Sequence, residues 1–252
     1  MKNYLLEICC GSAADAAEAA AAGANRVELC SALPLGGLTP SLGTLKIAKE
    51  QGIPVMALLR PREGGFCYSK TEFETMLRDA ESLLAHGADG LVFGILHADG
   101  TVDEERCQKL CQIAGKKEKV FHRAVDVVPD WRRALESLIR LGVTRVLTSG
   151  QCPSAPEGAK TIRAMREYAA GRLQILPGGG IKTHNAAELL RKTGCSQLHA
   201  SLKSPHHDPS SDGNPLIHFN GVPPKEGDYS LADRAQIAAL RALLESEERA
   251  SL

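Results

Sequence analysis

Two short stretches of this chain nearly repeat each other. Leu6-Glu7-Ile8-Cys9 and Val27-Glu28-Leu29-Cys30 both read apolar residue, glutamate, apolar residue, cysteine. In an extended strand alternate side chains share a face, so Glu7 goes with Cys9 and Glu28 with Cys30. If the two strands are adjacent and parallel, two carboxylates and two thiols converge at one end of one sheet. A glutamate is expensive to bury without a partner, and two at matching positions point to a site. Carboxylates in such a place suit proton transfer, and thiolates suit a soft metal ion.

Further candidates recur where apolar runs end. Arg60-Pro61-Arg62 holds two guanidinium groups on a stiff turn, and such forks suit a carboxylate or phosphate. A structural alternative pairs one of them with Glu7 or Glu28. The following Glu63-Gly64-Gly65-Phe66 is a partly apolar loop able to cover a site. In Val120-Phe121-His122-Arg123-Ala124-Val125-Asp126, strand alternation predicts His122, Ala124 and Asp126 on one face and Phe121 and Arg123 on the other. His122 is suited to acid or base work near neutral pH, although a histidine in a strand also serves as a satisfied core residue. Thr148 with Ser149, and His199 with Ser201, close two later runs. Pro177-Gly178-Gly179-Gly180-Ile181-Lys182 lies just before a helix, where glycine backbone N–H groups can approach an anion, or simply make a tight turn. Ser201 and Lys203 would support the anion. Cys107 and Cys111 stand four apart on a predicted helix, and packing explains them better than metal. The adjacent His206 and His207 read as solvated loop residues.

The elements that must position these groups alternate along nearly the whole chain. Strands are predicted at 5–9, 26–30, 54–59, 90–94, 119–123, 145–149, 173–177 and 197–201. Helices are predicted at 12–22, 41–51, 71–86, 103–114, 131–141, 158–169, 184–193 and 231–246. Gly23, Gly52, Gly87, Gly142 and Gly194 close helices, and Thr39-Pro40 and Ser69 or Thr71 open them. Eight such units predict an α/β fold, a single (β/α)8 TIM barrel spanning 1–252. A doubly wound open sheet is the alternative, but no GxGxxG opens the first helix. The candidates all fall at the C-terminal ends of predicted strands, which is the face that carries barrel active sites. Residues 203–229 break the rhythm as a long Pro-rich loop before the last helix.

Composition excludes several classes of partner. Thirty Lys and Arg balance thirty Asp and Glu, so no overall field favours nucleic acid or an anionic membrane. The N-terminal apolar run is broken at Glu7, and neither a signal peptide nor a membrane span is expected. Eight cysteines without a secretory signal argue for reduced thiols in a cytoplasm.

Together these motifs resemble the CutC family, the copper homeostasis proteins. The matching residues are Leu6-Glu7-Ile8-Cys9; Arg26-Val27-Glu28-Leu29-Cys30 with Gly36-Gly37-Leu38-Thr39-Pro40; Arg60-Pro61-Arg62 with Gly65-Phe66-Cys67-Tyr68-Ser69; Ala88 to Gly94; Phe121-His122-Arg123-Ala124; Leu147-Thr148-Ser149-Gly150; and Gly178-Gly179-Gly180. The resemblance implies a cytoplasmic (β/α)8 barrel linked by name to copper. Cys10-Gly11 departs from the family pattern, and the segment after 203 has no match in it. Three readings follow. As a copper protein, the chain would hold Cu(I), a soft ion, between Cys9 and Cys30. As an enzyme, it would use Glu7 or Glu28 as base and His122 as acid on a small anionic or phosphorylated compound. Arg60, Arg62 and Gly178 to Gly180 would hold that anion, with Arg123, Ser149, His199 and Ser201 as further binding residues. As a purely structural or partner-binding barrel, it would leave the charges at the mouth unexplained. Because barrels often pair through helices or loops, a homodimer is expected.

Overall fold

The structure is a computed structural model and describes residues 4–214, 216 and 228–250. Eight parallel strands alternate with helices. The strands are β1 Leu5–Cys10, β2 Arg26–Leu29, β3 Val55–Leu58, β4 Gly90–Phe93, β5 Glu118–Phe121, β6 Arg145–Thr148, β7 Gln174–Pro177 and β8 Gln197–Ala200. The helices are α1 Ala13–Ala21, α2 Leu42–Glu50, α3 Lys70–Ala85, α4 Glu104–Ala114, α5 Trp131–Arg140, α6 Ala159–Ala169, α7 Thr183–Thr193 and α8 Arg234–Ala250. The sheet runs β7-β6-β5-β4-β3-β2-β1-β8, and a parallel bridge from Gly178 to His199 brings its two edges together. This is the expected (β/α)8 barrel, nearly closed.

The alternation of the strands accounts for two apolar regions. Outward residues such as Leu6, Ile8, Val27, Leu29, Val55 and Ala57 pack under the helices in the main core. Inward residues Cys9, Cys30, Met56, Leu58, Val92, Val120, Leu147 and Leu176 form a smaller core inside the barrel. Helix starts are fixed by side chains. Ser12, Ser41, Asp103 and Asp130 accept from backbone N–H groups of α1, α2, α4 and α5, and Ser69 with Glu72 completes a capping box on α3. Each such cap contributes about 1 kcal/mol. Thr39 does not cap α2. Its backbone N–H and hydroxyl bond the Arg60 carbonyl at 3.0 and 3.2 Å, and its hydroxyl accepts from the Arg60 N–H at 3.0 Å. The loop after β2 is thereby zipped to the end of β3.

Three further expectations are corrected. β5 ends at Phe121, and Arg123–Val127 is a 3-10 helix whose N-cap is His122. The His122 side chain accepts from the Ala124 N–H, and this local bond ends the strand, so Ala124 and Asp126 do not share its face. The long segment after 202 is not wholly loop, because β9 Lys203–His206 pairs antiparallel with β10 Tyr229–Ala232. Pro215, Val222, Pro223 and Pro224, singled out in that segment, lie outside the described residues. Since 229–232 is extended, α8 starts at Arg234 rather than at 231.

Candidate functional site

Strand register decides which side chains meet. β1 pairs with β2 so that Glu7 is level with Arg26 and Cys9 with Glu28. On its other side β1 pairs with β8, and Glu7 is level with His199. The two Glu-x-Cys motifs are therefore staggered by one inward position, as barrel closure requires of neighbouring strands. Glu28 sits beside Cys9 rather than beside Glu7. A thiol, a carboxylate oxygen and an imidazole nitrogen, from Cys9, Glu28 and His199, lie within 4.8 Å of one another. Cys30 is one inward position further along. It is fully buried, its Sγ donates to the Cys10 carbonyl at 3.4 Å, and together with burial it pushes the Cys9 thiol up.

Above this cluster opens a cavity of about 470 Å³, walled by Cys9, Glu28 and His199 on one side and by Arg60, Phe66 and His122 on another. Arg60 is buried and clamps loops. Its guanidinium donates to the Leu35, Gly37 and Gly64 carbonyls at 2.9, 2.8 and 2.8 Å, while its Nε–H has no partner. Since the His122 Nδ1 accepts from Ala124 at 3.1 Å, the ring proton belongs on Nε2, and that atom too is buried without a partner. The Phe66 ring lies 4.9 Å from the imidazole. Gly94 leaves it room, for a Cβ there would fall 2.3 Å from the ring. Burial, reinforced by the Arg60 charge, pushes His122 down to about 3, so it is neutral at physiological pH. Glu28 is pushed the other way. Burial raises its carboxyl to about 7, with His199 opposing and Glu7 adding to the rise, and its Oε2 is unpartnered.

The far wall comes from the loop after β7. Gly179 and Gly180 adopt φ of +103° and +72°, a left-handed conformation that suits glycine, and they line the cavity with Lys182 and Ser201. Arg123 lines it as well, held by Asp126 at 2.9 Å and by Ser149 Oγ at 2.7 Å.

Beneath the cavity lies a closed ionic layer. Arg26 pairs with Glu7 and donates to Gln197 at 2.6 Å, and Glu7 accepts from or shares a proton with His199 Nδ1 at 2.8 Å. Burial alone would raise the Glu7 carboxyl, but Arg26 and His199 hold it well below the usual carboxylate range. Burial also works against a charged His199, yet hydrogen bonds with Cys9 and Glu7 outweigh it and raise the imidazole well above its ordinary value.

Of the residues predicted from the sequence, Cys9, Glu28, Arg60, His122, Arg123, Gly179, Gly180, His199 and Ser201 line the cavity. Five do not. Glu7 lies below it, committed to Arg26. Cys30 lies off it because of the stagger. Arg62 turns outward to Glu72 at 2.5 Å and to the Glu63, Gly65 and Cys67 carbonyls. Ser149 is consumed by Arg123, Asp126 and the Cys152 carbonyl. Gly178 is packed against Leu147 and His199. Lys203, offered as an anion partner, reaches Asp15 at 2.7 Å instead. Neither arginine of Arg60-Pro61-Arg62 pairs with Glu7 or Glu28; that partner is Arg26, which sequence reasoning missed although it stands two before Glu28 and so shares its face. Lys182 was also missed. A larger hollow of about 760 Å³ lies between the starts of α4 and α5. Several of its charges are already matched, Arg106 with Asp103 and Glu104 with Ser137 and Arg140, so the mouth cavity is the better candidate.

Comparisons with known proteins agree with one another. The profile of the CutC family matches residues 4–204. A CutC protein of Treponema denticola is 54% identical over 90% of this chain and 93% of its own. A human homologue named for copper homeostasis is 45% identical over 80% of this chain and 74% of its own. The crystal structure of a CutC protein from Streptococcus agalactiae superposes with a TM-score of 0.75 at 35% identity, covering 79% of this chain and 98% of that one. The chain belongs to the CutC family.

Proposed function

We propose that the barrel mouth is the active site of an enzyme that moves a proton on a small anionic compound. The observation that carries this reading is the set of buried atoms left without partners. Of the five such side-chain atoms among the described residues, three belong to Glu28, Arg60 and His122 around one cavity. Buried polar groups are normally satisfied, and groups kept unsatisfied together are held ready for a ligand. Lys182, the Gly179–Gly180 backbone and the Arg60 Nε–H would bind the anionic end. Glu28, with its carboxyl near 7, would exchange the proton. Neutral His122 would donate from Nε2 to an oxygen that gains charge, as an uncharged imidazole can. The test is a thermal-shift screen of phosphorylated and carboxylated metabolites against the parent and Lys182→Ala, a change at an exposed position. Stabilisation by one class, weakened about tenfold in apparent affinity by the substitution, supports the site. If no anion stabilises the parent, the reading fails.

A second reading concerns copper, which enters the names of several relatives. The neighbouring Cys30 thiol helps push the Cys9 thiol well above its ordinary value, and two adjacent soft donors suit Cu(I) as a cargo. On this reading Cys9→Ser and Cys30→Ser each abolish Cu(I) binding in a competition titration with a chelator; a double variant that binds as the parent does would make both thiols packing residues. All eight cysteines are free, which supports a reducing cytoplasm, and no helix among the described residues is long and apolar enough to cross a membrane. The homodimer remains part of the proposal and would be refuted by a monomer mass in light scattering.

A further inference from the structure

The three donors beside the cavity form a different set from the two thiols. Cys9, Glu28 and His199 come from β1, β2 and β8, three consecutive strands of the sheet, so their backbones are fixed by the barrel rather than by loops. All three are buried. Glu28 is only 6% exposed and its Oε2 has no partner. His199 has Nδ1 occupied by Glu7 at 2.8 Å, and Glu7 is anchored in turn by Arg26. That leaves Nε2 as the ring nitrogen that an ion could take in exchange for its proton. A carboxylate on the far nitrogen is the support that metal-binding imidazoles almost always have, because it fixes ring orientation and raises ligand basicity.

One thiolate, one imidazole and one carboxylate do not match the preference of Cu(I) for sulfur alone. They match a borderline divalent ion such as Zn2+, which takes sulfur at about 2.3 Å, nitrogen at about 2.0–2.1 Å and oxygen at about 2.0–2.2 Å. Tetrahedral ligation at those lengths puts donors about 3.3–3.6 Å apart, so from separations within 4.8 Å the side chains need to close by at most about an ångström. Three protein donors leave a fourth position open, which is the pattern of catalytic rather than structural zinc. Here the open side faces the 470 Å³ cavity, where Arg60 and His122 stand.

We infer that Cys9, Glu28 and His199 form a site for a divalent cation of the Zn2+ class, open on one side to the mouth cavity. The use of such an ion rests on the reading of the mouth as a reaction site; its binding does not. With the ion present Glu28 is a ligand instead of a proton carrier, so the metal-bound and metal-free states are alternatives. Cys30 contributes no donor.

The experiment is a Co2+ titration of the reduced, chelator-treated full chain, read by absorption. A thiolate-to-cobalt charge-transfer band should grow to one equivalent and vanish when Zn2+ is added. Cys9→Ser should remove the band, and His199→Gln and Glu28→Gln should each weaken binding at least tenfold. Cys30→Ala should keep both band and affinity. Absence of the band in the parent, its survival in Cys9→Ser, or its loss in Cys30→Ala would each overturn the inference, the last in favour of a two-thiol site. Should the His199 variant not fold, alkylation of the folded parent by iodoacetamide decides: Zn2+ should protect Cys9, and an unprotected Cys9 refutes the site. The anion screen on metal-free protein is read separately, so failure of either proposal leaves the other standing or falling on its own result.

Discussion

The barrel interior holds two buried polar regions built on opposite rules. In the lower layer nearly every group is matched. Arg26 meets Glu7 and Gln197; Gln197 meets Gln174 at 3.3 Å; Arg145 meets Gln174 at 3.3 Å and Glu118 at 3.2 Å, with only one Arg145 nitrogen left over. In the upper layer Glu28, Arg60 and His122 each keep an open atom. Glu7, Arg26, Arg145 and Gln197 are as buried as Glu28, Arg60 and His122, although their outer partners Gln174 and Glu118 reach the surface, so burial does not separate the two inner sets. Pairing does. Fully satisfied networks specify structure, whereas unsatisfied groups hold free energy that a ligand can release. His199 joins the two, with Nδ1 in the lower layer and the rest of the ring on the cavity.

The sharpest way to break this contrast is to remove one member of the matched layer. Glu7→Gln leaves the buried Arg26 guanidinium without its counter-charge, and the loss of one partner from a buried pair costs about 3–5 kcal/mol. Chemical denaturation at pH 7 should show a fall of that size. A loss below about 1 kcal/mol would put the pair in the class of surface ion pairs and end the distinction between the layers. The acid limb follows in sign. Glu7 is held below its unfolded value of 4.5, so its stabilisation is present above 4.5 and fades as pH falls through the lowered folded value.

Glu28 should behave in the opposite sense. Its folded carboxyl titrates near 7 against 4.5 unfolded. Below 4.5 both states are protonated and the group contributes no difference. Between 4.5 and 7 the unfolded chain ionises first, so stability declines as pH rises, and the decline levels off above 7. At about 1.4 kcal/mol per unit, the cost of keeping Glu28 is on the order of 3 kcal/mol at pH 8. Glu28→Gln should therefore be more stable than the parent at pH 8 and nearly equal to it at pH 4.5. Parallel stability curves for the two proteins across this window would mean that Glu28 is not held as described.

Gly94 tests whether the open atoms depend on close packing. A Cβ there would stand 2.3 Å from His122 Cε1 and 2.8 Å from Ala124 Cβ. Gly94→Ala should cost about 1–3 kcal/mol through overpacking and displace the imidazole, so anion-induced stabilisation should fall with it. Unchanged ligand response in a destabilised Gly94→Ala would remove His122 from the site.

How much of this was legible in the sequence follows from the same two layers. Strand and helix order, the barrel and the mouth all came from periodicity and glycine placement, because those signals are local. The pairing of Glu28 with Cys9 was not legible, since the stagger between β1 and β2 is a property of barrel closure and not of either motif. Arg26 hid for a related reason. An arginine at the start of an apolar run looks like a solvated flank, and only the closed sheet turns it onto Glu7. His122 stood out in the sequence as a candidate, but its neutral state depends on burial and on Arg60, which lies more than sixty positions away in the sequence.

The smallest expected effect separates the two arginines that the sequence offered as equals. Arg60 is 7% exposed, and its three backbone acceptors hold the loops that roof the cavity. Arg62 has a side chain 37% exposed, pairs with Glu72 and stacks over Tyr68 at 5.1 Å. The pleat alone would put residues 60 and 62 on one face, but β3 ends at Leu58 and the chain bends over 61–64, so Arg60 keeps the inward direction and Arg62 turns outward. An exposed pair with one stacked ring contributes about 0–1 kcal/mol, and Arg62 does not itself line the cavity, its bonds to the Gly65 and Cys67 carbonyls being made on the outer side of the loop. Arg62→Ala should therefore lower stability by no more than about 1 kcal/mol and leave the response to every anion in the thermal-shift screen as it is in the parent. A selective loss of anion response in Arg62→Ala, at unchanged stability, would return that guanidinium to the site and show that the mouth closes further around a ligand than this conformation does.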